Sequence, residues 1–159
     1  MKQIVVLGRG GAGKSVLAAR LAAAHQLPLI ELDQHFWQAD LTPTPPEQWR
    51  RVQAGLIGQA AWVADGDLGP YDYHLTDRLA AADTIIMLDL PLLVCAWRAL
   101  RRSRENRDFW RWVIRYRHDS VPVIKQAITA VGAESRVHWL TSRAAVARYL
   151  ANVATSKRT

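Results

Sequence analysis

Short continuous apolar runs take turns with longer runs of helical period along this chain. The apolar runs are Lys2–Leu7, Pro28–Leu32, Trp62–Asp65, Thr84–Asp89 and Arg136–Leu140. Their continuity predicts strands buried on both faces, as in a parallel sheet. Thr84-Ile85-Ile86 adds clear β-branched character. The first helical run is Lys14–His25, with Val16, Leu17, Leu21 and Ala24 at helical spacing and Arg20 on another face. After proline-rich Thr42–Pro46 a helix runs through Trp49, Val52, Leu56 and Ile57 to about Ala60. Thr44 is its expected N-cap, with Pro45 in the first turn and Glu47 at capping-box spacing. Residues 66–73, rich in Gly, Pro and Tyr, predict a loop. A short helix, His74–Ala82, follows. Pro91 opens a long helix, and a tryptophan-bearing helical segment spans Phe109–Arg117. Ser120 then caps a separate helix, Val121–Val131, with Pro122 in its first turn and Gly132 at its end. Ser142 caps the last helix, Arg143–Val153, and a polar, frayed tail begins at Ala154.

Strands alternating with helices from end to end predict an α/β domain with right-handed crossovers. Its length, 159 residues, suits one domain, 1–153, with a short tail, 154–159. No internal repeat and no linker divide it. Half of the residues are apolar, yet no apolar run is long enough to span a bilayer. The first apolar segment is short and runs straight into a glycine-rich turn, unlike a secretory signal. Cys95 is the single cysteine, which excludes an intrachain disulfide and a cysteine-only zinc site. A cytoplasmic location is the default expectation. The formal charge of +7 is largely local, since eight arginines fall between Arg98 and Arg117.

Between the first strand and the first helix stands Gly8-Arg9-Gly10-Gly11-Ala12-Gly13-Lys14-Ser15. It fits the P-loop pattern GxxxxGK[ST] at every fixed position, in the strand–loop–helix context that the pattern requires. Glycines let successive N–H groups converge on phosphate oxygens, and the helix aims its positive end at the same place. The expected nucleotide-binding set is Gly8, Gly10, Gly11, Ala12, Gly13, Lys14, Ser15 and Val16. Lys14 would reach the terminal phosphates, and the Ser15 hydroxyl would ligate Mg²⁺. The plain alternative is a tight glycine turn without a ligand.

Ligands of such sheets bind beyond the carboxyl ends of the strands. Asp33, Asp65 and Asp89 stand there. Asp65, followed by Gly66, is the favoured carboxylate on the Mg²⁺ side; Asp89 is the alternative, or else a structural carboxylate near the Pro91 helix. Asp67 reads equally as a solvated loop acid. Asp33 either orients an acceptor hydroxyl or forms a turn, and His35 lines the same loop. The arginine run has three readings: a mobile lid over roughly 98–120, a solvated helix face, and a nucleic-acid stripe with Phe109, Trp110 and Trp112 interleaved. Arg104, Arg107, Arg111 and Arg115 share a face at helical spacing. Arg102 and Arg107 are the first candidates to touch phosphate, with Arg98 and Arg104 next. Arg50, Arg51 and Arg78 either grip an acceptor or are exposed. Trp37 is the tryptophan expected at a pocket wall, and Cys95 reads as core.

With these residues in place, the chain resembles the adenylate-kinase-type P-loop kinases. More narrowly, it is similar to the FlaR-type DNA topology modulation proteins. The likeness rests on Gly8–Ser15, Leu32-Asp33 before Phe36-Trp37, Thr44–Trp49, Trp62–Gly66, Ala82–Ile86 with Leu88-Asp89 and Pro91, and Thr141-Ser142-Arg143. It implies a three-layer fold with a five-stranded parallel sheet in the order 2-3-1-4-5, ATP as donor and a short helical lid after the fourth strand. It also implies Asp33 at the acceptor, Asp65-Gly66 beside the P-loop, and Thr141–Arg143 near the adenine. Two departures point away from AMP as acceptor: Asp67-Leu68 stands where the closer family has Asn-Tyr, and the lid lacks a long insert.

The expected function is therefore phosphoryl transfer from ATP, with Mg²⁺, to a small molecule or nucleotide. Lys14, Asp33, Arg102 and Arg107 would be catalytic, Ser15 and Asp65 would hold the metal, and Arg143 would adjoin the nucleotide. The alternatives are a nucleotide-binding regulator that contacts nucleic acid through its basic helices, and a hydrolase without an acceptor. A translation-type GTPase is disfavoured, because no Asn-Lys-x-Asp or Thr-Lys-x-Asp motif occurs.

Overall fold

The computed structural model describes residues 1–102 and 107–155, the side chain of Arg102 excepted. Five parallel strands form one sheet: β1 (Gln3–Gly8), β2 (Leu29–Glu31), β3 (Trp62–Asp65), β4 (Thr84–Leu88) and β5 (Val137–Leu140), in the order β2-β3-β1-β4-β5. Neighbour order reverses about β1, the position where a crevice opens in such sheets. Register sets Val6 between Asp65 and Ile86, and Gly8 beside Leu88.

Ile4, Val5, Val6 and Leu7 are wholly buried because helices cover both faces of the sheet. Side chains alternate between the two layers. Val5, Leu7, Ala64, Ile85 and Met87 pack with Trp49, Trp62, Tyr116 and Ile124, while Ile4, Val6, Val63, Ile86 and Leu88 pack with Leu17, Leu21 and Val153. Each such large side chain contributes roughly 1.5–3 kcal/mol.

The helices are α1 (Lys14–His25), α2 (Leu32–Phe36), α3 (Pro46–Ile57), α4 (Leu75–Ala81), α5 (Leu92–Arg102), α6 (Arg107–Ala130) and α7 (Arg143–Thr155). Three differ from expectation. The stretch holding Asp33 is itself a helical turn, α2. At α3, Pro46 is the first helical residue and Pro45 takes the cap position; the Thr44 hydroxyl instead donates to the Phe36 carbonyl. That bond, with Thr44 N–H to the same carbonyl at 3.1 Å, closes the 36–44 loop in place of capping the helix.

The third difference is larger. The two helices expected on either side of Ser120 are one, with Pro122 inside it. An interior proline costs a hydrogen bond and a steric clash, about 3 kcal/mol. The buried stripe Val113, Tyr116, Val121, Ile124, Ala127 and Ile128 continues across it, and this packing outweighs the local break. Gly132 ends the helix as expected, with Gly132 N–H donating to Thr129 O at 3.1 Å and Ala133 N–H to Ile128 O at 3.0 Å. Ser142 Oγ accepts from Ala145 N–H at 3.1 Å, the expected cap, and α7 runs on through Thr155. A 3-10 turn, Gly69–Tyr71, lies inside the expected 66–73 loop. Among the described residues no helix is long and apolar enough to cross a membrane.

Candidate active site

A cleft of about 1270 Å³ opens at the carboxyl ends of the strands. Gly10 to Leu17 form its floor. Gly11 shows why the loop needs glycine: its φ is +78°, and a Cβ there would stand 2.1 Å from the Cys95 carbonyl oxygen. Close packing of loop on α5 leaves the backbone itself facing the cleft. Because α1 begins at Lys14, its first-turn amides lack intrahelical acceptors, and Lys14, Ser15 and Val16 all line the cavity. Gly8 lies beneath this floor. Its carbonyl accepts from Lys14 Nζ at 2.7 Å, and the Arg9 carbonyl accepts from the same ammonium at 3.3 Å. Lys14 thus rests on the loop's own carbonyls, 5.8 Å from the centre of the Trp112 ring.

Asp65 ends β3 beside Ser15. It is buried, and its Oδ1 has no hydrogen-bond partner among the described residues. Burial pushes its carboxyl above the usual carboxylate range; the Ser15 hydroxyl and the Lys14 charge pull the other way. An orphaned buried oxygen next to a P-loop serine fits a divalent cation held from one side. Among the described residues no group of three or more His, Cys, Asp or Glu could cage a metal. A cation here would draw its remaining ligands from phosphate and water.

Asp67 is no solvated loop acid. It accepts from the Tyr116 hydroxyl and, at 2.9 Å, from Gly69 N–H, and burial raises its carboxyl. Burial likewise holds the Tyr116 phenol well above its ordinary value. Asp33, exposed on the first turn of α2, lines the cleft with Trp37, the expected wall residue. Trp37 meets Tyr71 edge-on, with ring centres 5.5 Å apart. Leu41 and Pro43 extend that wall.

The arginines divide. Arg98 enters the cleft and donates to the Ala12 carbonyl at 3.1 Å. Arg143 lines it from α7 with Val146, Ala147 and Leu150. Arg107 is exposed and borders a smaller hollow of about 410 Å³ with Asp108 and Arg111. Arg115 pairs with Asp119 at 2.7 Å, and Arg117 with Asp89 at 2.8 Å. Asp89 therefore ties β4 to α6 and does not line the cleft. Arg104 lies outside the described residues, and Arg102 is described only as the last helical residue of α5. Arg50, near Glu47 at 3.7 Å, and Arg51 are exposed outside the cleft. Arg78 is buried, bonded to Asp72 at 2.6 Å and to Gln53.

Sequence reasoning did not assign Tyr71, Asp108, Phe109 and Trp112 to the cleft, which they line from the loop after β3 and from α6. Phe109, Trp112 and Tyr116, three and four residues apart, share one helix face, and that spacing was the available signal. Phe109 and Trp112 both line the cleft.

The sheet order, the loop at its switch point and the helices on both sides define the fold of the P-loop small-molecule kinases. The chain is similar in fold to a shikimate kinase from Acinetobacter baumannii in complex with shikimate, with TM-score 0.61 and 16% identity over 99% of this chain and 93% of that one. A gluconokinase from Sinorhizobium meliloti 1021 matches with TM-score 0.53 and 16% identity, over 98% and 97%. A shikimate kinase from Bacteroides thetaiotaomicron matches with TM-score 0.52 and 16% identity, over 98% and 98%. No protein-family model and no curated protein matches the chain.

Proposed function

We propose that this protein is a cytoplasmic kinase that uses ATP and Mg²⁺ to phosphorylate a small hydroxyl-bearing molecule. One observation carries the reading. On either side of Ser15, Lys14 rests on carbonyls it can leave, and Asp65 holds an unpartnered buried oxygen. A bare glycine turn gives no reason for either.

When bound, ATP with Mg²⁺ supplies the transferable phosphoryl group and the charge that offsets its oxygens. The chain's own part is positioning. The amides from Gly10 to Val16 would cradle phosphate, and Lys14, now on the Gly8 and Arg9 carbonyls, would supply its charge to the terminal phosphate. Ser15 and Asp65 would hold the cation. Arg98, already anchored at Ala12, stands over the cradle as a second positive group. Arg143, which lines the cleft with Val146, Ala147 and Leu150, would border the base. Asp33 orients the acceptor hydroxyl and takes its proton. Arg102 and Arg107 belong to the lid segment and would act on closure. The narrower likeness to the FlaR-type proteins sits within this reading, as does a single kinase domain, whose last helix runs through Thr155 and not only to residue 153.

The test is ADP release from Mg²⁺ and ATP across a panel of hydroxyl compounds. Release should depend on an acceptor and should fall at least about a hundredfold in Lys14→Ala, with the variant's melting curve checking its fold. Phosphate release indifferent to every acceptor would make the protein a hydrolase. Absence of ATP affinity in folded material would end the reading.

A further inference from the structure

Helix α6 turns one row of rings toward the P-loop. Phe109, Trp112 and Tyr116 touch in series, with ring centres 5.9 Å apart for the first pair and 5.5 Å for the second. Each ring meets a different residue of the loop. The rim of Phe109 fills the place that a Cβ on Gly10 would need. Tyr116 lies under the buried Arg9 guanidinium. Trp112 faces Lys14, with its ring centre 5.8 Å from Nζ. Trp112 is also pressed against the loop after β3, since a Cβ on Gly69 would stand 2.8 Å from Trp112 Nε1. That indole N–H is buried without a hydrogen-bond partner among the described residues. Packing holds the ring, and its face is what it offers Lys14.

A lysine carries a compact charge on a flexible four-carbon stem, so its ammonium wanders unless something confines it. Here the Gly8 carbonyl at 2.7 Å and the Arg9 carbonyl at 3.3 Å border the ammonium, and the Trp112 ring borders it as well. A competing pull comes from Asp65 and Asp67, whose carboxyls both feel the Lys14 charge. A ring face attracts an ammonium without giving it an anion to pair with. Held that way, the charge stays in the mouth of the loop and stays available to a phosphate oxygen. We infer that Trp112 is a positioning residue for Lys14, which it keeps within reach of the terminal phosphates through its ring face. This inference rests on the nucleotide-binding part of the reading above. It puts one determinant of phosphate affinity outside the P-loop motif, on α6.

The experiment is a double-mutant cycle read as affinity for the non-hydrolysable ATP analogue AMP-PNP with Mg²⁺. The parent, Trp112→Leu, Lys14→Ala and the double variant are titrated by calorimetry, and melting curves check each fold. Trp112→Leu should weaken binding about three- to tenfold. Trp112→Phe keeps a ring face and forfeits only an unpaired N–H, so it should recover most of that loss. In the Lys14→Ala background, Trp112→Leu should change the affinity by less than about twofold, because the group it acts through is gone. A loss of the same size in both backgrounds would show that Trp112 only supports the shape of the cleft, and would overturn the inference. Parent-like affinity in folded Trp112→Leu would overturn it too. Should Trp112→Leu not fold, Trp112→Met takes its place in the cycle with the same expectations. A parent that binds AMP-PNP but transfers phosphate from ATP to no acceptor ends the kinase reading and leaves this inference to the cycle. A folded parent without AMP-PNP affinity ends both.

Discussion

The Arg9 guanidinium lies 5.6 Å from the centre of the Tyr116 ring, with Arg9 only 1% exposed. Tyr116 in turn donates its hydroxyl to Asp67, two residues beyond Asp65. One stacked and hydrogen-bonded chain thus links the P-loop, α6 and the loop after β3. Cation–ring contact of a desolvated arginine is worth about 2 kcal/mol. Tyr116→Phe keeps the ring under Arg9 and deletes the donor to Asp67. It should cost about 1–3 kcal/mol of stability. Since that hydrogen bond lowers the Asp67 carboxyl, its loss should raise it further. Chemical denaturation gives the first quantity, and carbon NMR titration of the Asp67 carboxyl the second. Unchanged values in both would remove Tyr116 from the linkage.

Two neighbouring glycines should respond differently to one added methyl group. At Gly11 the obstruction is backbone, the Cys95 carbonyl oxygen at 2.1 Å, and φ is +78°. Gly11→Ala should therefore displace the loop from α5, cost more than about 3 kcal/mol and abolish nucleotide binding. At Gly10 the nearest atoms, at 2.6 Å, are the rim of the Phe109 ring, which can turn aside. Gly10→Ala should cost about 1–3 kcal/mol and retain nucleotide affinity. Melting curves with and without ATP and Mg²⁺ separate the two. Equal losses at both positions would mean that the loop does not bear on α5 as described.

Asp89 and Arg117 form an ion pair at 2.8 Å, but the Arg117 side chain is 57% exposed. Such pairs contribute about 0–1 kcal/mol. Arg117→Ala and Asp89→Asn should shift stability by no more than that. The magnesium dependence of ATP binding should be unchanged in both, because Asp89 does not line the cleft. Calorimetric titration of ATP at several Mg²⁺ concentrations checks this. A metal requirement weakened in Asp89→Asn would move the metal-side role from Asp65 to Asp89.

The strands were legible because a strand buried on both faces writes itself as an unbroken apolar run, as Ile4–Leu7 and Thr84–Leu88 do. The P-loop was legible because its chemistry is local to eight residues. Ser120-Val121-Pro122 was misread for an equally physical reason. The local signal is that of a helix start, and the decision rests with Tyr116, Val121 and Ile124 packing on the sheet. Arg78 was undecidable from spacing, since its burial depends on Gln53 and Asp72 from other elements. The gathering of acids in the cleft lining was likewise hidden. Asp33, Asp67 and Asp108 are far apart in sequence, and the topology alone brings them to one cavity.

Asp65 gives a prediction whose sign follows from proton binding. Burial raises its carboxyl above the ordinary 3.8. Between the ordinary and the raised value the folded chain holds more protons than the unfolded one. Stability contributed by this group therefore falls as pH climbs through that window, and the loss is complete above the raised value. Asp65→Asn keeps the shape and removes the ionisation. The metal-free variant should melt higher than the parent near neutral pH, with the gap closing as pH falls toward the ordinary carboxylate range. Its Mg²⁺-dependent gain in ATP affinity should be lost. The two effects together describe a group kept charged in a buried place for the sake of a cation. Melting temperatures across the pH series, with ATP binding at fixed and zero Mg²⁺, test both halves. A variant that melts lower than the parent by the same amount at every pH would show that Asp65 serves packing, and the metal-side role would have to be assigned elsewhere.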